Sequence, residues 1–144
     1  MFRPRDSSGR FTTFRAFARR MRERAAAVVH NSNDNVVRLA TMIEQAIVTS
    51  TPVDTGHARA NWQVGLDVEP TEVLNEVDPS GASTISKAVT VLSDRKSEQT
   101  IHITNNVPYI KRLNDGWSAQ APANFVELSI NSAIQAFRNA KVIR

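Results

Sequence analysis

Apolar residues recur at helical spacing in the first third of the chain and at alternating spacing in its middle. From Phe11 onward, Phe14, Phe17, Ala18 and Met21 share one face with arginines opposite, the pattern of an amphipathic helix. Ala25, Val28, Val29, Val36, Leu39, Ala40, Ile43, Ala46 and Ile47 carry that spacing on. The polar run Asn31-Ser32-Asn33-Asp34-Asn35 reads in two ways. It is a break, with Asp34 capping a second helix to about Thr49, or it is the wet face of one long helix. Ser50-Thr51-Pro52 ends the helix, because proline pushes its predecessor out of the helical region.

Residues 52–56 (PVDTG) predict a turn, in which Asp54 bonds the backbone just ahead and Gly56 accepts positive φ. Ala60, Trp62, Val64 and Leu66 then alternate with Asn61, Gln63, Gly65 and Asp67, which predicts a strand. The acidic stretch 67–81, ending Asp78-Pro79-Ser80-Gly81, reads as a loop. Ser83 or Thr84 caps a helix in which Ile85, Ala88, Val89 and Leu92 share a face. Ile101 and Ile103 mark a second strand within 99–107, with His102 on its polar face, broken at Asn105-Asn106-Val107-Pro108. Tyr109, Ile110 and Leu113 predict one or two helical turns, closed by Asn114-Asp115-Gly116. Phe125, Leu128, Ile130, Ala133, Ile134 and Phe137 predict a C-terminal helix, with Asn124 as its cap and Lys141 near its end.

The sum is an α+β fold: a long N-terminal helix and a C-terminal helix packed on a small, mainly antiparallel sheet. Two strands are too few for a stable sheet by themselves. A further strand is therefore expected in the acidic loop, or else pairing between subunits.

Charge divides the chain. Residues 1–30 hold Arg3, Arg5, Arg10, Arg15, Arg19, Arg20, Arg22 and Arg24 against Asp6 and Glu23, whereas the rest has ten basic and twelve acidic residues. Residues 1–10, rich in Pro, Gly and Ser, read as an arm. The expected organisation is a basic arm and helix start over 1–30 and a single α+β domain over 31–144. Such an arm suits an acidic partner, either nucleic acid or an acidic protein face; a solvated tail is the plainer alternative. The chain has no cysteine, which excludes disulfides, thiolate metal sites and a Cys nucleophile. No apolar run approaches the ~18 residues of a membrane span. Arginines running through the N-terminus leave no signal-peptide core.

Motifs for catalysis are lacking. His30, His57 and His102 are not at metal-ligand spacing. No glycine-rich phosphate loop or Gly-x-Ser-x-Gly elbow occurs. Glu69, Glu72, Glu76 and Asp78 match no calcium loop. The expectation is no enzyme and no cofactor, although a site dispersed along the chain would leave no motif. Residues 15–24 could neutralise phosphates, but Phe11, Phe14 and Phe17 form one stripe rather than a base-stacking platform.

Two segments narrow the reading. Residues 52–62 are PVDTGHARANW, and about forty residues later 104–122 are TNNVPYIKRLNDGWSAQAP. In this order they resemble the tail-completion, or head–tail joining, proteins of tailed bacteriophages. There a helix precedes a P-V-D-T-G turn and strand, and a later strand ends in N-x-x-P-Y before an L-x-x-G turn, S-x-Q-A-P and a final helix. Asn105, Pro108, Tyr109, Leu113, Gly116, Ser118, Gln120, Ala121 and Pro122 match, and the resemblance covers roughly residues 35–140. It implies a structural virion protein at the head–tail junction, assembled in the host cytoplasm as a ring of about six copies around the DNA passage. Its partners would be neighbouring neck or adaptor and tail-tube proteins, with contact to DNA in the channel left open and no membrane involved. Pro52, Asp54, Gly56, Pro108, Gly116 and Pro122 are then turn-forming residues, and Tyr109, Trp117, Gln120, Phe11 and Phe14 are interface candidates. Tyr109 and Trp117 read equally as core or as interface. The arginines lie outside the resemblance; an acidic neighbouring ring is favoured for them over DNA, which must slide past. The alternative class is a small DNA-binding protein working through the arginine segment.

Overall fold

The computed structural model describes residues 14–142, with side chains over 32–140 and at Arg19, Arg22 and Glu23. Phe2, Phe11, Arg3, Arg5 and Arg10, and the side chains of Phe14, Arg15, Arg20, Arg24 and His30, lie outside the described residues. The chain divides into two compact units, Met1–Asn35 and Val36–Arg144. Backbone helix α1 is assigned over Phe14–Ser50, and in the first unit Arg19, Arg22 and Glu23 on it are exposed. All that follows concerns the second unit.

Here α1 is followed by α2 (His57–Ala60), β1 (Trp62–Leu66), α3 (Ala82–Ser93), β2 (Ile101–Asn105), α4 (Ile110–Asn114) and α5 (Phe125–Val142). The class is α+β with a small antiparallel sheet. The strands pair in the register Trp62 with Asn105, Val64 with Ile103 and Leu66 with Ile101. Ile47, Val48 and Trp62 form the core cluster, against which pack Ile43, Ile85, Ile103, Ile110, Val126 and Ile130. One sheet face thus meets side chains from α1, α3, α4 and α5, and α3 lies nearest to β1. On α5 the buried positions are Phe125, Ser129 and Ala133, while Leu128, expected on the apolar face, is 53% exposed. On α3 the buried set is Thr84, Ala88 and Leu92, and Val89 is exposed.

Helix α1 ends before Pro52, as its spacing predicts. The hydroxyls of Thr49, Ser50 and Thr51 donate to the carbonyls of Gln45, Ala46 and Ile47, at 2.7, 2.6 and 2.7 Å. Each hydroxyl bonds the carbonyl four residues before it, the back-bonding open to Ser and Thr in a helix. Thr51, fully buried, also accepts the Trp62 indole N–H at 2.7 Å, tying the helix end to β1. Arg59 completes the junction: its guanidinium donates to the Thr49 and Thr51 carbonyls at 3.0 and 2.7 Å, and to the Pro79 carbonyl at 2.7 Å. A cation at a helix C-terminus is electrostatically favoured.

The expected third strand is not found among the described residues. Instead the acidic stretch crosses the second sheet face, held by side-chain amides. Asn61, buried, donates Nδ2 to the Leu74 carbonyl (3.0 Å) and accepts the Leu74 N–H (2.6 Å). Gln63 donates to the Glu72 carbonyl (2.8 Å), and Asn106 donates to the carbonyls of Pro70 and Glu72 (3.0 and 3.1 Å). Thr104, the register partner of Gln63, reaches the Pro70 carbonyl at 3.3 Å. Gly65 lies on the same face because side chains alternate. A Cβ there would overlap the Val68 carbonyl and sit 2.8 Å from Pro70 Cδ. The polar alternates of β1 are the fastening for this stretch.

Two helix starts also differ from expectation. Helix α3 begins after Gly81 (φ 80°), not at Ser83 or Thr84. Asp78 serves as the acceptor, its carboxylate taking the Thr84 N–H at 2.8 Å and the Thr84 hydroxyl at 2.7 Å. Burial alone would raise the Asp78 carboxyl, but these bonds, helped by Gly81 and Ser80, hold it below the usual carboxylate range. At α5 the side chain of Asn114, rather than that of Asn124, accepts the Val126 N–H at 3.0 Å.

Among the described residues, two side chains leave buried polar atoms without a hydrogen-bond partner: Arg59 at Nε and Glu44 at both carboxylate oxygens. Glu44 is 1% exposed, and burial pushes its carboxyl up to about 7. A raised carboxyl favours the protonated fold. Its stabilising effect is complete below the unfolded value of 4.5 and is lost as pH rises through about 7;. The displacement corresponds to roughly 3 kcal/mol. Glu44→Gln, shaped like the neutral acid, is expected to match wild type at pH 4.5 and exceed it at pH 8.5 in urea unfolding; equal pH slopes for both proteins would refute the assignment. Asn61→Ala is expected to cost about 2 kcal/mol, because the Leu74 amide loses its partners. A variant with an unchanged urea midpoint would mean that the loop is held some other way.

Candidate functional site

The two sequence motifs meet at one cleft. It measures about 250 Å³ and is lined by residues 52–58 together with Tyr109, Leu113, Ser118 and Gln120. The joint between its walls is a pair of hydrogen bonds across 67 residues of sequence. Gln120 Oε1 accepts the Val53 N–H, and Gln120 Nε2 donates to the Val53 carbonyl, both at 2.8 Å. A carboxamide that closes a ring with a peptide group in this way behaves like one more strand residue. Gln120, an interface candidate from sequence, is therefore occupied in holding the cleft together.

The first wall is the turn. Gly56 has φ 92°, in the region that only glycine enters without strain. A Cβ there would overlap the backbone of Asp78 and Pro79. The Gly56 carbonyl accepts from Ala60 (2.9 Å) and from Asp78 (3.0 Å). The local side-chain bond of the turn comes from Thr55, whose hydroxyl accepts the His57 N–H at 3.3 Å. Asp54 does not make it, contrary to the sequence-based expectation. Its exposed carboxylate has neither a hydrogen bond nor an ion pair among the described residues. After the turn His57–Ala60 form a helical turn, so Ala60 belongs to α2 and not to the strand. His57 Nδ1 lies 3.1 Å from the Glu76 carbonyl. A carbonyl can only accept, so this contact is a hydrogen bond in the tautomer that carries its proton on Nδ1.

The second wall is α4 and the turn after it. Gly116 (φ 92°) ends α4, with Trp117 N–H bonded to the Arg112 carbonyl and Gly116 N–H to the Leu113 carbonyl, both at 3.2 Å. This is the Schellman pattern, in which the residue after the glycine packs back on the last turn. That residue is Trp117, and the Arg112 guanidinium carbon sits 5.3 Å from its ring centroid. Trp117 is nonetheless 74% exposed and Tyr109 40% exposed. The rings of Tyr109 and His57 stand 6.5 Å apart, tilted by 39°. Partial burial pushes the Tyr109 phenol up, and the Asp54 carboxylate adds to it.

Of the turn residues predicted from sequence, Pro52, Asp54 and Gly56 line the cleft, Pro108 precedes Tyr109, and Gly116 presents Trp117. Pro122 lies elsewhere, with Phe125 and Leu128 on a groove of about 490 Å³ beside the end of α1. The cleft hydroxyls of Thr55 and Ser118 accept the backbone N–H groups of His57 and Gln120. No group of three or more metal-ligating side chains occurs among the described residues. No helix among them is long and apolar enough to cross a membrane. Sequence reasoning missed Arg59 and Asn61 altogether; both sit inside the PVDTGHARAN segment, but nothing in their spacing marks a charge for burial.

No family model, no curated protein and no solved structure matches the chain.

Gly56→Val is expected to lose roughly 1–3 kcal/mol from positive φ alone, with further loss from overlap with Asp78 and Pro79. Differential scanning calorimetry checks it; a wild-type melting temperature would show that the turn tolerates a side chain there.

Proposed function

We propose that this chain is a non-catalytic structural subunit of a tailed-phage virion, one copy in a ring that joins tail to head around the DNA passage. The observation that carries the reading is the meeting of its two motifs. The segments 52–62 and 104–122 resemble tail-completion proteins only as an ordered pair, and Gln120 bonds the one directly to the other. Beside that joint stand two aromatics exposed to solvent, Tyr109 and Trp117, the residue type enriched at protein interfaces. The resemblance implies a ring of about six copies, and head-to-tail contacts close into a ring when their rotation closes. In this reading the partners are the adjoining neck or adaptor ring and the tail tube, and the protein resides in the virion after assembly in the host cytoplasm.

A second reading, a small DNA-binding protein, is favoured by one observation: residues 1–30 carry eight arginines against two acids, and Arg19 and Arg22 are exposed. Tight duplex binding by a monomer at about 0.15 M salt, weakening steeply as salt rises, would support it.

Native mass spectrometry of the purified chain tests the leading reading, with a closed ring as the expected species. Tyr109→Ala and Trp117→Ala should each weaken assembly by about 2 kcal/mol, while the melting temperature of the dissociated chain stays near wild type. A chain that remains monomeric at assembly concentrations overturns the ring. Variants that assemble normally but melt far earlier would return both aromatics to a role in the monomer.

A further inference from the structure

We infer that the cleft beside Tyr109 receives an arginine side chain from the N-terminal segment of a second copy of this chain. The inference rests on the ring reading, in which copies of this chain are neighbours.

The cleft has what a guanidinium group needs. Asp54 supplies a carboxylate, Tyr109 an aromatic face, and Leu113, Ala58 and Pro52 an apolar lining for the side-chain stem. Carboxylate pairing and stacking on an aromatic ring are the two interactions that set arginine apart from lysine. At about 250 Å³ the cleft is smaller than the usual ~300–1,000 Å³ of small-molecule sites;. It suits a single long side chain.

Asp54 is available because the turn does not use it. Thr55 makes the local bond in its place, and the Asp54 carboxylate acts on the Tyr109 phenol. No lysine or arginine lines the cleft. The nearby cations are engaged or exposed: Arg59 is spent on three carbonyls, Arg112 is held over Trp117, and Lys111 points to solvent. The segment beside the cleft is acidic in sequence. Glu76 and Asp78 meet His57 and Gly56 through backbone atoms, while their carboxylates bind Lys87 and Thr84. They belong to the stretch 60–86, which has five acids (Asp67, Glu69, Glu72, Glu76, Asp78) and no basic residue.

The complementary charge lies at the other end of the chain. Residues 1–24 contain all eight N-terminal arginines, three of them within the first ten residues, set among Phe2, Pro4 and two serines. A segment of that charge is complementary to the Asp54 carboxylate;. Charge complementarity also gives such a contact its specificity for one register of neighbours.

The chain has no cysteine, so single-cysteine variants report contacts cleanly. Full-length Thr55→Cys and full-length Ser7→Cys, one isotope-labelled, are mixed and oxidised mildly. A disulfide joining the two variants can only form between copies. The expected result is a mixed dimer in excess over both symmetric ones, its yield falling as salt is added. Adding Asp54→Lys to the cleft variant should cut that yield about tenfold or more, and Asp54→Asn should cut it less. Melting curves establish that each variant folds. Rings present without the mixed disulfide overturn the arginine receptor and leave the ring reading standing. Loss of all oligomers in the wild-type chain overturns the ring reading itself. A mixed disulfide indifferent to Asp54→Lys places the arm elsewhere and overturns the inference.

Discussion

A sheet of two strands cannot bury both of its faces by pairing alone, and the domain is organised around that shortage. One face is covered by apolar side chains from α1, α3, α4 and α5. The other is covered by a stretch of chain that has no ladder hydrogen bonds of its own. Its carbonyls at Pro70, Glu72 and Leu74 are met by the amides of Asn61, Gln63 and Asn106. Side-chain amides carry the donors and acceptors of a peptide group, so they can satisfy backbone where no third strand exists. Gly65 permits the close approach, since any side chain there would drive the stretch off the face. From this anchorage the chain reaches His57 through Glu76, Gly56 through Asp78, and the start of α3 through the Asp78 carboxylate.

The cleft inherits its shape from the same arrangement. Its first wall is stiff because the end of α1, α2 and β1 share one junction. Thr51 accepts from Trp62, and Arg59 spans the Thr49, Thr51 and Pro79 carbonyls. Its second wall is stiff because a Schellman turn closes α4 and Asn114 of that helix caps α5. Gln120 then bonds wall to wall. Such a site on rigid supports favours a contact whose entropy is already spent before the partner arrives.

Much of the fold was legible from apolar spacing. The stop before Pro52, both strands, α3 and α5 follow from periodicity and from proline, because those signals act through neighbouring residues. What spacing could not reveal is where polar groups find their partners. Asn61 and Gln63 alternate with Trp62 and Val64, while their partners lie nine or more residues away. Asp54 and Asn124 are typical turn and cap residues, yet Thr55 and Asn114 take those tasks. His57–Ala60 is a single helical turn, too short for a period to show, and Ala60 was absorbed into the strand pattern. The cleft was legible as two motifs but not as a cavity, because the Gln120–Val53 bonds join residues far apart in sequence.

Glu44 has a consequence for the energetics of folding that concerns the solvent as much as the chain. With an unfolded value of 4.5 and a folded value of about 7, its carboxyl is ionised before folding and protonated after it over the pH range between them. At pH 6 the folding chain therefore takes up nearly one proton from the buffer at this single position. The measured heat of unfolding then includes the ionisation heat of whatever buffer receives that proton on release. Unfolding in phosphate, which ionises with little heat, and in an amine buffer, which ionises with much, would give different enthalpies for the same protein at the same pH.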